Sequence, residues 1–328
     1  MRRVLRALLR VVFVGAIGVV AVLYFVPREQ MARFSAVEDP DLSAPAEWLA
    51  EREARFDDIT PGAEARIVWA GEEGAASDVV IVYLHGFSAT AQEIRPVPDR
   101  VAEALGANLI FARLPGHGRS GAAMGAPRAG DWRDETARML QLARGIGNRV
   151  VIIGTSTGGT LASYAATDTD MARDLAAVVL ISPNYELANP LGWMLEMPFA
   201  RILVPLVAGT ERRIDPINAD HNTFWTTAYP TSATVTLGTL LRTTRARDVS
   251  GVNTPALFLF SDADQVISAP AVRDFTARWG GPATLIPIAV PEEGGDPFNH
   301  VIAGDILSPA LTDRVVEDIT IWLRETLQ

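Results

Sequence analysis

The chain contains no cysteine. That excludes a disulfide framework, a thiolate nucleophile and any Cys-ligated zinc or iron–sulfur centre. Basic charge is also in short supply, with 29 Lys and Arg against 39 Asp and Glu and a formal net charge of −10. A nucleic-acid partner is therefore not expected, because such proteins carry a basic footprint. The sequence has no H-E-x-x-H pair, no Walker loop and no dinucleotide fingerprint, so neither a metal nor an organic cofactor is expected. It also lacks internal repeats and low-complexity tracts. What remains is an ordinary globular composition, 48% apolar and 21% charged over 328 residues. Such a chain is too apolar for large-scale disorder, and long enough for one large α/β domain with an insertion or for two smaller domains.

The N-terminus has a pattern of its own. Arg2, Arg3, Arg6 and Arg10 precede an uncharged run over residues 11–26, and no acidic residue comes before Glu29. As a helix the run would measure roughly 24 Å, and adding residues 7–9 would bring it to the about 30 Å of a bilayer core if Arg10 snorkels. Arginines of this kind stay on the cytoplasmic side. The sequence therefore predicts a transmembrane anchor in residues 1–27, a tether in 28–61, and a catalytic body on the non-cytoplasmic side. The rival reading is a cleaved signal peptide and secretion. Cleavage after Ala32, Ser35 or Ala36 would put Gln30, Arg33 or Phe34 at the −3 position, where a small residue is needed.

From about residue 62 the pattern alternates strand and helix, as in a mostly parallel sheet covered on both faces. Residues 79–84 and 150–153 are short β-branched runs typical of fully buried strands, and 108–111, 177–181, 256–260 and 284–290 look similar. Helices are expected near 46–56 and over 131–146, 158–166 and 315–327, where apolar residues recur at helical spacing. Between the strands ending near Ser182 and starting near Ala256 lie about seventy residues, far more than a normal connection. Residues 183–254 read as a helical cap inserted between two parts of one core, 62–182 and 255–328; the plainer reading is that they thicken the core.

The strand at 150–153 runs into Gly154-Thr155-Ser156-Thr157-Gly158, followed by a helical pattern. This is a nucleophile elbow in its strand–turn–helix setting. The turn is tight enough to strain the serine backbone, and its small neighbours let the hydroxyl project clear of the sheet. Alone, a Gly-x-Ser-x-Gly match is only a Gly-rich turn; directly after a buried strand it is specific. A serine hydroxyl needs a base. Of the four histidines, His85 ends a strand, His117 lies in a Gly-rich loop and His221 falls in the insertion. His300 alone follows the last strand, where the base of such a fold stands. The acid that orients it should follow the strand at 256–260, where Asp262 and Asp264 are chemically equivalent candidates. Two backbone N–H groups should hold the oxyanion, those of Thr157 and Phe87.

His85-Gly86-Phe87, Gly116-His117-Gly118-Arg119-Ser120, the Ser156 elbow, Asp264-Gln265-Val266 and Asn299-His300 together resemble the α/β-hydrolase superfamily. Within it they are most similar to the branch of monoacylglycerol lipases, lysophospholipases and carboxylesterases, over residues 67–327. The resemblance implies an α/β-hydrolase fold with a helical cap, here preceded by the transmembrane helix. It favours Asp264 as the acid, since the branch carries Gly-x-x-Asp-x-x-Val after this strand; Ser261 and Ile267 depart from that pattern. It implies a structural role for His117. It also implies ester substrates, with the cap shaping an acyl pocket that Trp193, Met194, Met197 and Phe199 would line unless they form the cap's own core. The expected function is thus a serine hydrolase of lipophilic esters such as acylglycerols or lysophospholipids. The competing readings are acyl transfer, or thioester, amide or carbon–carbon cleavage, on the same residues, and a non-catalytic binding protein of this fold.

Overall fold

The β-branched runs form the middle of a seven-stranded sheet. The fold comes from a computed structural model, which describes residues 2–31 and 39–328. In chain order the strands are β1 (Arg66–Val68), β2 (Ser77–Leu84), β3 (Asn108–Phe111), β4 (Gly147–Thr155), β5 (Leu175–Ile181), β6 (Glu211–Arg213), β7 (Ala228–Pro230), β8 (Ala256–Phe260) and β9 (Ala283–Pro287). The large sheet has the order β1-β3-β2-β4-β5-β8-β9 and is parallel throughout except for β1, which runs antiparallel to β3 at the edge.

Helix α1 (Arg2–Phe25) and α2 (Pro45–Glu53) precede the sheet, and α3 (Val97–Leu105) joins β2 to β3. Next come α4 (Gly121–Gly125) and α5 (Ala129–Gly145), then α6 (Thr157–Ala166) directly after β4. The stretch between β5 and β8 holds α7 (Ala200–Ala208), α8 (Ala219–Phe224) and α9 (Ala233–Arg245), with β6 and β7 paired as a small antiparallel ribbon. Helix α10 (Ala269–Ala277) joins β8 to β9, and α11 (Thr312–Thr326) closes the chain.

Side chains alternate across each strand, so both faces of the sheet need cover. Val80, Val82, Val150 and Ile152 point to one face, where Trp132, Met139 and Leu140 of α5 and Leu161 and Ala165 of α6 pack. Val79, Ile81, Val151 and Ile153 point to the other, against Val101 of α3 and Val315, Ile319 and Leu323 of α11. Full burial of each such side chain contributes about 1.5–3 kcal/mol. The carboxyl ends of β2, β4, β8 and β9 therefore sit on a rigid platform, the end of a parallel sheet where ligands bind.

The mostly parallel sheet flanked by helices agrees with expectation, but the transmembrane helix does not. Among the described residues, no helix is long and apolar enough to cross a membrane. Helix α1 begins at Arg2, so the basic residues lie inside it, and its uncharged part from Val11 to Phe25 measures only roughly 22 Å. The anchored, non-cytoplasmic placement that rested on that span falls with it. The candidate cleavage junctions after Ala32, Ser35 and Ala36 fall within or beside residues 32–38, outside the described residues.

Candidate active site

Strand β4 ends at Thr155, and the chain reverses at Ser156 into α6. Ser156 has φ 51°, a left-handed conformation that costs a non-glycine residue energy. The turn is held by the Ser156 N–H donating to Ile181 O at 2.8 Å. Its flanking glycines are required sterically. A Cβ on Gly154 would lie 2.4 Å from Gly158 O, and one on Gly158 would lie 1.9 Å from Leu84 O. The result is a buried serine at the N-terminus of a helix, where a developing negative charge is favoured.

His300 reaches Ser156 from the loop after β9. Its Nε2 accepts from Ser156 Oγ at 3.0 Å, and its Nδ1–H donates to Asp264 Oδ2 at 2.8 Å. The other Asp264 oxygen, Oδ1, accepts the N–H groups of Val266 and Ile267 at 2.8 and 2.9 Å, which fixes the carboxylate in place. Asp262 instead sits at the surface, paired with Arg273 of α10 at 2.7 Å. The tertiary structure thus separates two aspartates whose local sequence does not. Burial disfavours a charge on His300, but Asp264, then Glu93 and Asp296, outweigh it and hold its pKa above the ordinary value.

The loop after β2 carries Phe87. Among the described residues, the N–H groups of Phe87 and Thr157 have no acceptor. The Phe87 ring is wedged edge-on against His117, Trp132 and Tyr229, with centroids 6.0, 6.0 and 5.5 Å away. His85 donates from Nδ1 to Gly86 O and accepts the Leu114 N–H at Nε2, and burial lowers its pKa to about 4. Burial likewise pushes His117 far below the usual range. Both are neutral packing residues beneath the loop. His221 accepts the Ile217 N–H at 3.1 Å inside the β5–β8 stretch, and it does not reach Ser156.

The four expected pocket residues are not gathered in one place. Trp193 lines a cavity of about 450 Å³ that also reaches Asp264, but Met194, Met197 and Phe199 are not among its walls. Met194 packs against Ala200, Val204 and Val235, a small core of the β5–β8 stretch itself. Phe199 is 52% exposed at the start of α7.

Two buried carboxylates near His300 escaped the reading of the sequence. Asp296 accepts the N–H groups of Phe298, His300 and Val301 at 3.1, 3.0 and 2.9 Å and so shapes the loop that carries His300. Glu93 accepts the Gly86 N–H at 2.7 Å, and burial raises its pKa to about 7. Glu93 is a single acid in its loop and Asp296 follows Glu292 and Glu293, so the sequence context of each looks like that of a solvated turn residue. A faint signal for Asp296 was its place four residues before His300, after Gly294-Gly295.

With this geometry in place, the chain can be compared with known proteins. The model of the alpha/beta hydrolase family matches residues 81–305. A thermostable monoacylglycerol lipase from Bacillus sp. (strain H-257) is 26% identical over 196 residues, covering 58% of this chain and 72% of that protein. The fold resembles that of a monoacylglycerol lipase from Paleococcus ferrophilus, with TM-score 0.58 and 14% identity over 80% of this chain and 98% of that one. It also resembles a soluble variant of monoglyceride lipase from Saccharomyces cerevisiae, with TM-score 0.59 and 12% identity over 92% of this chain and 98% of that one.

Proposed function

The chain belongs to the alpha/beta hydrolase family, and on that premise we propose that it is a lipase- or esterase-like serine hydrolase working through an acyl-enzyme on Ser156. The observation that carries the reading is the unbroken line from Ser156 Oγ through His300 to Asp264, with contacts of 3.0 and 2.8 Å.

In this mechanism His300 Nε2 takes the Ser156 proton as Oγ attacks the ester carbonyl. Asp264, its side chain fully buried, holds the imidazole in the tautomer that leaves Nε2 free and stabilises the imidazolium as it forms. The Phe87 and Thr157 N–H groups hold the oxyanion of the tetrahedral intermediate. His300 then protonates the departing alcohol. In the second half it takes a proton from water, which attacks the acyl carbonyl and releases the acid, and returns that proton to Ser156.

The proposed substrate is a lipophilic ester of the acylglycerol or lysophospholipid type. Support comes from the likeness to the Bacillus monoacylglycerol lipase and from the apolar side chains of residues 183–254, which we assign as a cap. Its ties to the site loops support that assignment: the Thr226 N–H donates to Ser88 O at 2.7 Å, and Asn218 Nδ2 donates to Ile306 O at 2.8 Å. Of the four apolar candidates only Trp193 shares a cavity with Asp264, and the walls of that cavity include neither Ser156 nor His300; all four would act by shaping the cap.

The test is turnover of p-nitrophenyl esters of increasing acyl length by the wild type and by Ser156→Ala. The proposal expects turnover with an optimum at longer chains and its loss in the variant. Equal turnover in a folded Ser156→Ala protein would sink it.

A further inference from the structure

Both halves of the proposed oxyanion hole rest on backbone: Phe87 follows β2 and Thr157 follows β4. Backbone donors work only if their separation is fixed to a few tenths of an ångström before the reaction begins. The two strands are paired as far as Leu84 and Gly154, and beyond that point the ladder ends. A chain of buried side chains continues across the gap. The Thr155 hydroxyl meets Tyr83 Oη at 3.1 Å, and Tyr83 O–H donates to Glu93 Oε2 at 3.2 Å. The same Glu93 oxygen accepts the Gly86 N–H at 2.7 Å. Thr155 stands one residue before the nucleophile and Gly86 one residue before the oxyanion donor.

Glu93 lies flush against the loop it holds. A Cβ on Gly86 would come within 2.5 Å of Glu93 Oε1, so only glycine admits the carboxylate there. Thr155, Tyr83 and Glu93 are 0%, 0% and 2% exposed, respectively. A carboxylate buried this deeply is costly unless it is hydrogen-bonded and faces positive charge.

We propose that Glu93 is a positioning residue: with Tyr83 and Thr155 it braces the Gly86–Phe87 peptide against the Ser156 elbow. The inference rests on Ser156 being the nucleophile and His300 the base. Holding the Gly86 N–H turns that donor away from the substrate and leaves the next one, on Phe87, for the oxyanion.

Three variants test the brace, each checked for folding by circular dichroism and thermal melting. Glu93→Ala should lower kcat about 10- to 100-fold with KM within about threefold. Glu93→Gln keeps an acceptor for the Gly86 N–H and should hold kcat within about threefold of wild type. Tyr83→Phe should lower kcat about 3- to 10-fold with KM within about threefold. Unchanged kcat in folded Glu93→Ala or in Tyr83→Phe, or a kcat in Glu93→Gln more than about tenfold below wild type, overturns the proposal. If Glu93→Ala does not fold, the other two decide. Failure of the underlying reading looks different: wild type without turnover, or Ser156→Ala retaining it, whatever residue 93 does.

Discussion

Two parts of the molecule handle polar and apolar groups in opposite ways. In the loops after β4, β8 and β9, Ser156, Asp264 and His300 are tied to one another, with Asp264 and Asp296 gripping neighbouring backbone N–H groups. In the stretch between β5 and β8, α7 leaves Ile202, Leu206 and Val207 63%, 77% and 65% exposed, and its own core is built on Ala200, Val204 and Val235. Chemistry that depends on sub-ångström placement would be built onto the ends of a parallel sheet whose central strands are buried on both faces. Contact with a variable apolar substrate would fall to the region with less packing of its own, which can change shape at lower cost.

The comparison is sharpest at the two aspartates after β8. Asp264→Asn keeps the shape but offers His300 the wrong hydrogen-bond partner, and should lower kcat by about 10³- to 10⁴-fold. Asp262→Asn removes only an exposed ion pair with Arg273 and should leave kcat within about twofold. Steady-state kinetics on both variants checks this, and similar losses in the two would mean the acid has been misplaced. A smaller effect contrasts the two regions in stability. Ile319→Ala, in the core under β4 and β5, should cost about 2–5 kcal/mol. Leu206→Ala, on the open face of α7, should stay within about 0.5 kcal/mol. Urea unfolding of the two variants measures both, and a large loss at Leu206 would show that this face is packed against something.

The same contrast explains what the sequence made legible. The central strands and the elbow are local signals: a β-branched run, then a turn that only small residues permit. His300 was found by elimination among four histidines. The choice of Asp264 over Asp262 depended on family resemblance, because only the tertiary register brings Arg273 to one and His300 to the other. The edge strand β1 and the ribbon of β6 and β7 are three residues each, too short for any periodicity. Glu93 was invisible and Asp296 nearly so, because burial, which gives a carboxylate its meaning, is not written in its neighbours. At the N-terminus the expected span needed Arg10 to snorkel, whereas one helix begins at Arg2, contains all four arginines and is not apolar enough to cross a membrane.

The central claim is that an acyl group passes through Ser156. The direct measurement is intact-protein mass spectrometry after rapid mixing with a slowly deacylating long-chain ester or a fluorophosphonate, followed by peptide mapping. The account predicts one adduct per chain, on the peptide carrying Ser156, and none on Ser156→Ala. An adduct on another residue, or ester turnover by Ser156→Ala at the wild-type rate, would contradict it.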